Sequence, residues 1–576
     1  MRNTTFICVV VTALTILNGN GASQKSTVPK LKSSADLVLV PVVVHKGGAH
    51  LGNLKQSEFI LIQDGQPQEI AVFEEIHTNL PVSYRADQPS EFTNSRAKSE
   101  NPERLTVIAI DLVNTAPLDQ AYLKQEISKF LDSARKTGEP YMLLTISARG
   151  VTVVQNFTTD PTAVAAAVQK MAIVNTGQEA VGKTGSWFLD STPCALSAAG
   201  CGNHTVLGAK LAARDLTDWE FLYKNEEGYQ IYRDRNSRLD TLSSLQQVAQ
   251  YLQGFPGRKS LVWAGSGIQW FGGMTRVMAG FRDISPIKDY NTVDLRAGGQ
   301  NLDANMHTLQ LLSAANVSVY PLDARHGANT SFAVFDVTNS DAPVGDRGFA
   351  AVKGRVQNDD QERITMFQQI AAATGGKPCF NRTDLANCLQ EFSTDSHDYY
   401  MLGYYIDKKT KPGWHTLSVK VDQKAELRHR NGFIFTEVNQ EQLRVTDLQL
   451  AMISPLPYTA LQFSGRIAKV EEKTGKKTVQ FELDLPADEL GLGEKGNLLN
   501  FDVVVVARGA NGKEAAKFAQ RIDKTLQHEQ VEVIQANGVH YTNHIELPTG
   551  TYGLWFVVRD NTSGHTGSVT TSLRLE

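Results

Sequence analysis

The stretch Leu105–Leu131, LTVIAIDLVNTAPLDQAYLKQEISKFL, sets the reading of the whole chain. Leu105 to Ile110 is an unbroken apolar run ending at Asp111, the mark of a strand buried on both faces, and Leu118 to Lys136 carries apolar residues at helical spacing. The same alternation follows: Tyr141 to Ile146 and Val151 to Phe157 read as strands, Ala163 to Met171 and Leu239 to Leu252 as helices. Ser260 to Ala264 and Val317 to Leu322 complete the strands, with helices expected over Asn305 to Ala315, Ile364 to Ala373 and Leu385 to Phe392. This pattern predicts an α/β fold, a doubly wound and mostly parallel sheet, over residues 104–395.

Outward from that core the pattern changes. Upstream, over 36–80, three β-rich runs are punctuated by Gly47-Gly48 and Asp64-Gly65, too little chain to bury a core alone. Downstream, strands return over 396–440. The expectation is that these pair with the N-terminal unit, so that the α/β domain is inserted in a small β-sandwich. Residues 447–576 alternate apolar and polar positions between turn signals and predict a C-terminal β-sandwich. Asp87 to Glu103 is polar and reads as a separator. Two longer stretches, Asn175 to Asn236 and Arg325 to Asp360, interrupt the alternation and read as surface insertions.

The 576 residues are 41% apolar and carry a net charge of −4, a composition that excludes a mostly disordered chain and offers no basic field for nucleic acid. The first 23 residues resemble a secretory signal: Arg2, an apolar stretch from Phe6 to Leu17, then small Gly21, Ala22 and Ser23. Its removal takes the one charge of Arg2 with it, from −4 to −5, and implies an exported protein, periplasmic, cell-surface or secreted. Of five cysteines, Cys8 lies in that segment; Cys194 with Cys201 and Cys379 with Cys388 form two close pairs. An even number in an exported chain favours two disulfides over zinc, since neither pair has Cys-x-x-Cys spacing.

The ordered succession of the opening stretch, LDTLSSLQQVAQYLQGFPGRKSLVWAGSG (239–267), NVSVYPLDARHG (316–327) and ATGGKPCFNRTDL (373–385) resembles the von Willebrand factor A-related proteins known mainly from acidobacteria. The flanks FILIQDGQPQEIAVFEEI (59–76) and YYMLGYYID (399–407) match as well. The resemblance implies a bacterial protein of adhesive or scaffolding behaviour. In von Willebrand A domains with a metal-ion-dependent adhesion site, the first strand ends in Asp-x-Ser-x-Ser, whose oxygens hold Mg²⁺ and leave one position for an acidic group of the partner. Here the run is Asp111-Leu112-Val113-Asn114-Thr115, in which Val113 offers no oxygen, and Gly265-Ser266-Gly267 stands where a carboxylate usually follows. The implied site is therefore degenerate, with Asp111, Asn114, Thr115, Thr241 and Ser266 as ligands of Mg²⁺ or another divalent cation and Asp323 on the same edge. The competing reading has Asp111 and Asn114 capping the next helix or holding its turn.

Enzyme motifs fail on inspection. GFPGRKS (254–260) breaks the phosphate-loop triplet at Arg258 and precedes a strand, Ser266 lacks the full nucleophile elbow, and His540 and His544 lie in extended sequence. The expected function is thus non-enzymatic binding of a protein partner by the C-terminal strand edge together with the two insertions, with Trp219 and Trp270 as aromatic anchors. An envelope structural component, or a hydrolase with its site in the insertions, are the alternatives.

Overall fold

The structure is a computed structural model that describes residues 37–77, 91–94, 105–134, 138–173, 237–268, 304–325, 363–395, 398–407, 409–435, 440–473, 476–493 and 496–576. The signal-like segment, the pair Cys194 and Cys201, Trp219, Trp270 and the two insertions, apart from Arg325 itself, lie outside the described residues.

Five sheets are present among the described residues. Strand Leu105–Asp111 sits inside one of them, between Lys259–Gly265 and Tyr141–Ser147, with Val317–Asp323 beyond; these four run parallel. Being covered on both faces, Leu105–Asp111 is buried at all seven positions. Its odd-numbered side chains, Leu105, Val107 and Ala109, pack with Leu242, Leu245 and Val248 of helix 237–252, and Ile108 and Ile110 pack with Leu123, Ile127 and Phe130 of helix Pro117–Ser133. This is the two-residue period of a strand carried into two separate cores.

The class expected from the sequence, α/β with a doubly wound mostly parallel sheet, is corrected by the topology as a whole. Four of the five sheets are wholly antiparallel. The fifth is mixed, because the turn at 148–149 sends Gly150–Thr158 back antiparallel to Tyr141–Ser147. The protein is predominantly a β-sheet structure. Gly413–Val421 and Lys476–Leu485 alternate in burial, whereas Leu37–Lys46 and Leu498–Gly509 are buried in continuous runs within antiparallel sheets, so an unbroken apolar run does not by itself mark a parallel strand.

Before and after the mixed sheet, two antiparallel sheets share one core. In the first, Leu37–Lys46 pairs with Asp398–Tyr405, which pairs in turn with Val72–His77; in the second, Phe59–Gln63 pairs with Gly413–Val421. Val40, Val42, Phe59, Leu61, Tyr400, Leu402, Leu417 and Val419 fill the space between. The last two sheets, built on Lys476–Leu485 and Leu498–Gly509, enclose Phe481, Leu483, Phe501, Val503, Val505 and Phe556.

The polar stretch before residue 104 does more than separate. Glu91–Thr93 forms the edge strand on Ser464–Lys473, and the buried Asn94 amide donates to the carbonyls of Tyr458 and Leu461 at 2.6 and 2.8 Å while accepting from the Phe463 amide at 2.8 Å. Beside it, Thr459 clasps the end of helix 237–252: its hydroxyl donates to Tyr251 O at 2.6 Å and accepts from Gly254 N at 2.8 Å. A Cβ on Gly254 would lie 2.3 Å from Thr459 O, so this contact requires glycine.

Arg258 joins the mixed sheet to the N-terminal sheets. It is 1% exposed, and its guanidinium donates to Ser318 Oγ, Tyr320 Oη and the carbonyls of Gly375 and Asp395, while its amide donates to Tyr399 Oη. Its neighbour Lys259 is also buried, yet among the described residues its ammonium has one acceptor, Phe255 O at 2.8 Å, and burial pushes it down to about 7. An unfolded lysine titrates near 10.4, so between about 7 and 10 the unfolded chain binds more protons and stability rises with pH; below about 7 the full cost of the buried charge is present. Lys259→Met is therefore expected to stabilise the fold by about 1–4 kcal/mol near pH 6, with the gain shrinking towards pH 10. Thermal melts of both proteins across that range check it, and a gain that grows with pH contradicts it.

Candidate functional site at the strand tips

The C-terminal ends of the parallel strands bring Asp111, Asn114, Thr115, Thr241 and Ser266 to one place. All five are buried, each at most 7% exposed. Asp111 ends its strand, Gly265 ends the neighbouring one, and Thr241 comes from the first turns of helix 237–252. The close approach of the two strand ends depends on Gly265, whose added Cβ would sit 2.9 Å from Asp111 Cβ and 3.1 Å from Thr115 Oγ1.

The Asp111 carboxylate is surrounded by donors. Oδ1 accepts from the amides of Val113 and Asn114 at 3.0 and 3.1 Å. Oδ2 accepts from Asn114 Nδ2 at 2.8 Å, and from Thr241 Oγ1 and Trp263 Nε1, both at 3.3 Å. Asn114 Nδ2 also donates to Thr241 Oγ1 at 2.9 Å, and Ser266 N donates to Thr115 Oγ1 at 3.3 Å. Burial raises the Asp111 carboxyl, and the hydrogen bonds from Asn114, Trp263 and Val113 work against that shift. Asp240, half-buried, is raised by its own desolvation and then by the charge of Asp111.

This geometry decides between turn and cap. Asp111 holds the turn that follows it, whereas the helix Pro117–Ser133 starts from Ala116 without a side-chain cap. The set does not fit a hard dication. Such an ion needs oxygen acceptors converging on one point. Here the side chain lying between Asp111 and Thr241 is the Asn114 amide, a donor to both, and Val113 adds no oxygen. Among the described residues the Ser266 hydroxyl is buried without a partner, but it is one oxygen only. No step is derived through a metal at this site. Asp323, in register with Gly265, is occupied by Arg325, whose Nη2 and Nε donate to it at 2.7 and 2.9 Å.

Three residues of this edge escaped sequence reading. Trp263 and Gly265 lie in a strand whose apolar run gave no hint of an indole hydrogen bond or a steric requirement. Leu118, in the first turn of the helix beside the cluster, is 80% exposed; a leucine after Pro117 read as part of an apolar helix face. On the opposite side of the sheet, Cys379 pairs in parallel with Leu322 and is bonded to Cys388 of helix Leu385–Asp395. Among the described residues no helix is long and apolar enough to cross a membrane.

No family model matches the chain, and no curated protein matches it. Among solved structures it is similar to a "putative beta-galactosidase" of Bacteroides fragilis, at 9% identity and a TM-score of 0.14, covering 31% of this chain and 26% of that one. It is also similar to the pilus adhesin SpaC of Lactobacillus rhamnosus GG in its open conformation, at 9% identity and a TM-score of 0.18, covering 87% of this chain and 56% of the adhesin. The chain thus spans about a quarter of one and about half of the other, and likenesses this weak carry no argument about function.

Proposed function

We propose that this is an exported, non-enzymatic protein-binding or adhesion protein that recognises its partner with the C-terminal edge of the mixed sheet, and that its kinship to the von Willebrand A-related family rests on the ordered succession of segments 105–131, 239–267, 316–327 and 373–385. The observation that carries this reading is the pairing of a rigid polar cluster with an exposed apolar anchor. Asp111 is consumed by five donors, which leaves it unsuited to act as a general base and well suited to fix the turn. Leu118, three residues after Thr115 in the first turn of helix Pro117–Ser133, is exposed to solvent, and ligands of such sheets gather at the strand ends. The disulfide Cys379–Cys388 supports an oxidising compartment.

The test is capture of a protein from envelope extracts by the full chain and by Leu118→Glu. Because Leu118 is exposed, the variant is expected to melt with the wild type while losing at least about tenfold in partner affinity, the scale of a 1.4 kcal/mol contact. Equal capture by both proteins would remove the strand edge from the interaction.

A further inference from the structure

The sheet built on Leu498–Gly509 ends at strand Glu514–Thr525, which pairs with Leu498–Gly509 on one side and with no other strand among the described residues. At twelve residues it is the longest edge strand described, against ten for Thr566–Leu575 and nine each for Gly150–Thr158 and Val539–Leu547. Such an edge presents a row of backbone donors and acceptors to another chain, and proteins guard it with proline, bulges or a covering element. This strand has no proline, and its one bulge lies at Ala515, so the ladder runs without interruption from Ala516 to Thr525. Over that length Ala516, Phe518 and Ile522 are half-buried and the other residues are exposed.

We propose that this edge is a homodimer interface, independent of the strand-tip reading: a second copy of the chain adds its own Glu514–Thr525 antiparallel across a two-fold axis at Gln520, and joins two four-stranded sheets into one.

The register follows from the side chains. A two-fold axis normal to the sheet keeps every side chain on its own face, so residues meet in pairs placed symmetrically about one central position. For an uninterrupted ladder over 516–525 that centre is Gln520 or Arg521. Centred on Gln520, Lys517 stands opposite Asp523 of the second copy and Asp523 opposite its Lys517, two unlike charge pairs on the outer face. On the inner face Phe518 meets Ile522 twice, and Ala519 leaves room for the longer Arg521. Centred on Arg521, Phe518 would meet Lys524, Ile522 would meet Gln520, and neither Lys517 nor Asp523 would face an opposite charge.

The single chain already holds these groups in place. Phe518 packs edge-on against Phe481 with ring centroids 5.8 Å apart, and Ile522 lies against the same C-terminal core. Arg521 Nε donates to Asp502 Oδ1 of its own chain at 3.2 Å, so the chosen register asks no new partner of it. Among the described residues Lys517 and Asp523 have no ion-pair partner within the chain, which leaves both charges for one outside it. One added strand pair is small beside the roughly 1,200–2,000 Å² of stable interfaces, so the dimer is reversible, with a dissociation constant of about 1–100 μM.

Sedimentation equilibrium of the full chain tests this, with hydrogen exchange to locate the contact. The expected result is a monomer–dimer equilibrium in which amides of 516–524 gain protection as concentration rises. Lys517→Asp and Asp523→Lys should each weaken the dimer about tenfold or more, because each turns two unlike pairs into like ones, and the double variant should return it towards wild-type strength. Both positions are exposed, so melts at low concentration should match the wild type and verify folding. A wild type still monomeric at about 1 mM, single variants that dimerise as the wild type does, or a double variant no better than either single one overturns the proposal. Protection of 516–524 that appears only with a foreign protein would assign the edge to that partner and overturn it equally.

Discussion

Arg258→Ala is expected to lower the stability of the chain by about 3–5 kcal/mol, the cost of removing the central member of a buried charged network. The guanidinium is fully enclosed and donates to four acceptors drawn from strand Val317–Asp323, the loop at Gly375 and the end of helix Leu385–Asp395. Alanine leaves those acceptors dry and unpaired, each at about 1–3 kcal/mol before relaxation, and opens a void where a large side chain stood. Asp395, whose carbonyl loses its guanidinium donor, ends the helix just before strand Asp398–Tyr405, which pairs with Leu37–Lys46, so the damage reaches the N-terminal sheets even though the Arg258 amide, kept in alanine, still donates to Tyr399 Oη. Arg258→Lys should recover only a minor part, since an ammonium cannot reproduce the planar fork. Urea unfolding with hydrogen exchange checks this: the midpoint should fall, with early exchange in strands Val317–Asp323 and Asp398–Tyr405. A variant as stable as the wild type would mean that Arg258 does not join the two parts.

The second large effect is at Asp111. Asp111→Ala should cost about 2–4 kcal/mol, because five donors lose their acceptor in a site where water cannot replace it. It should also abolish partner capture, since the turn that leads to Leu118 loses its anchor. The effect has a pH signature. Burial raises the Asp111 carboxyl above its unfolded value, so its contribution to stability is full below about pH 4 and is lost as pH rises through the folded value. The stability gap between wild type and Asp111→Ala should therefore widen as pH falls from 7 towards 4, and paired melts in that range measure it. A gap that narrows would show that the ionised carboxylate is the favoured form.

What the sequence disclosed follows from the strength of its local signals. Leu105–Asp111 is legible because burial on both faces demands an unbroken apolar run. Thr241 and Ser266 could be set beside Asp111 because they follow or precede elements of the same kind. The balance of the fold was not legible in the same way. Glu91–Thr93 is a three-residue edge strand in polar sequence with only Phe92 buried, and nothing local marks Asn94 as a buried clamp. The Asn114 amide was read as a source of oxygen. Its nitrogen faces the carboxylate, and only the placement of Thr241 and Trp263 around Asp111 reveals that.

Photo-crosslinking from the strand tips tests the central claim most directly. A crosslinkable residue at position 118 of the full chain, exposed to envelope extract, is predicted to give one dominant protein adduct, while the same residue at exposed Lys170, at the far end of helix Pro161–Lys170, gives none. Adducts from position 170 with none from 118 would contradict it and place recognition elsewhere on the molecule.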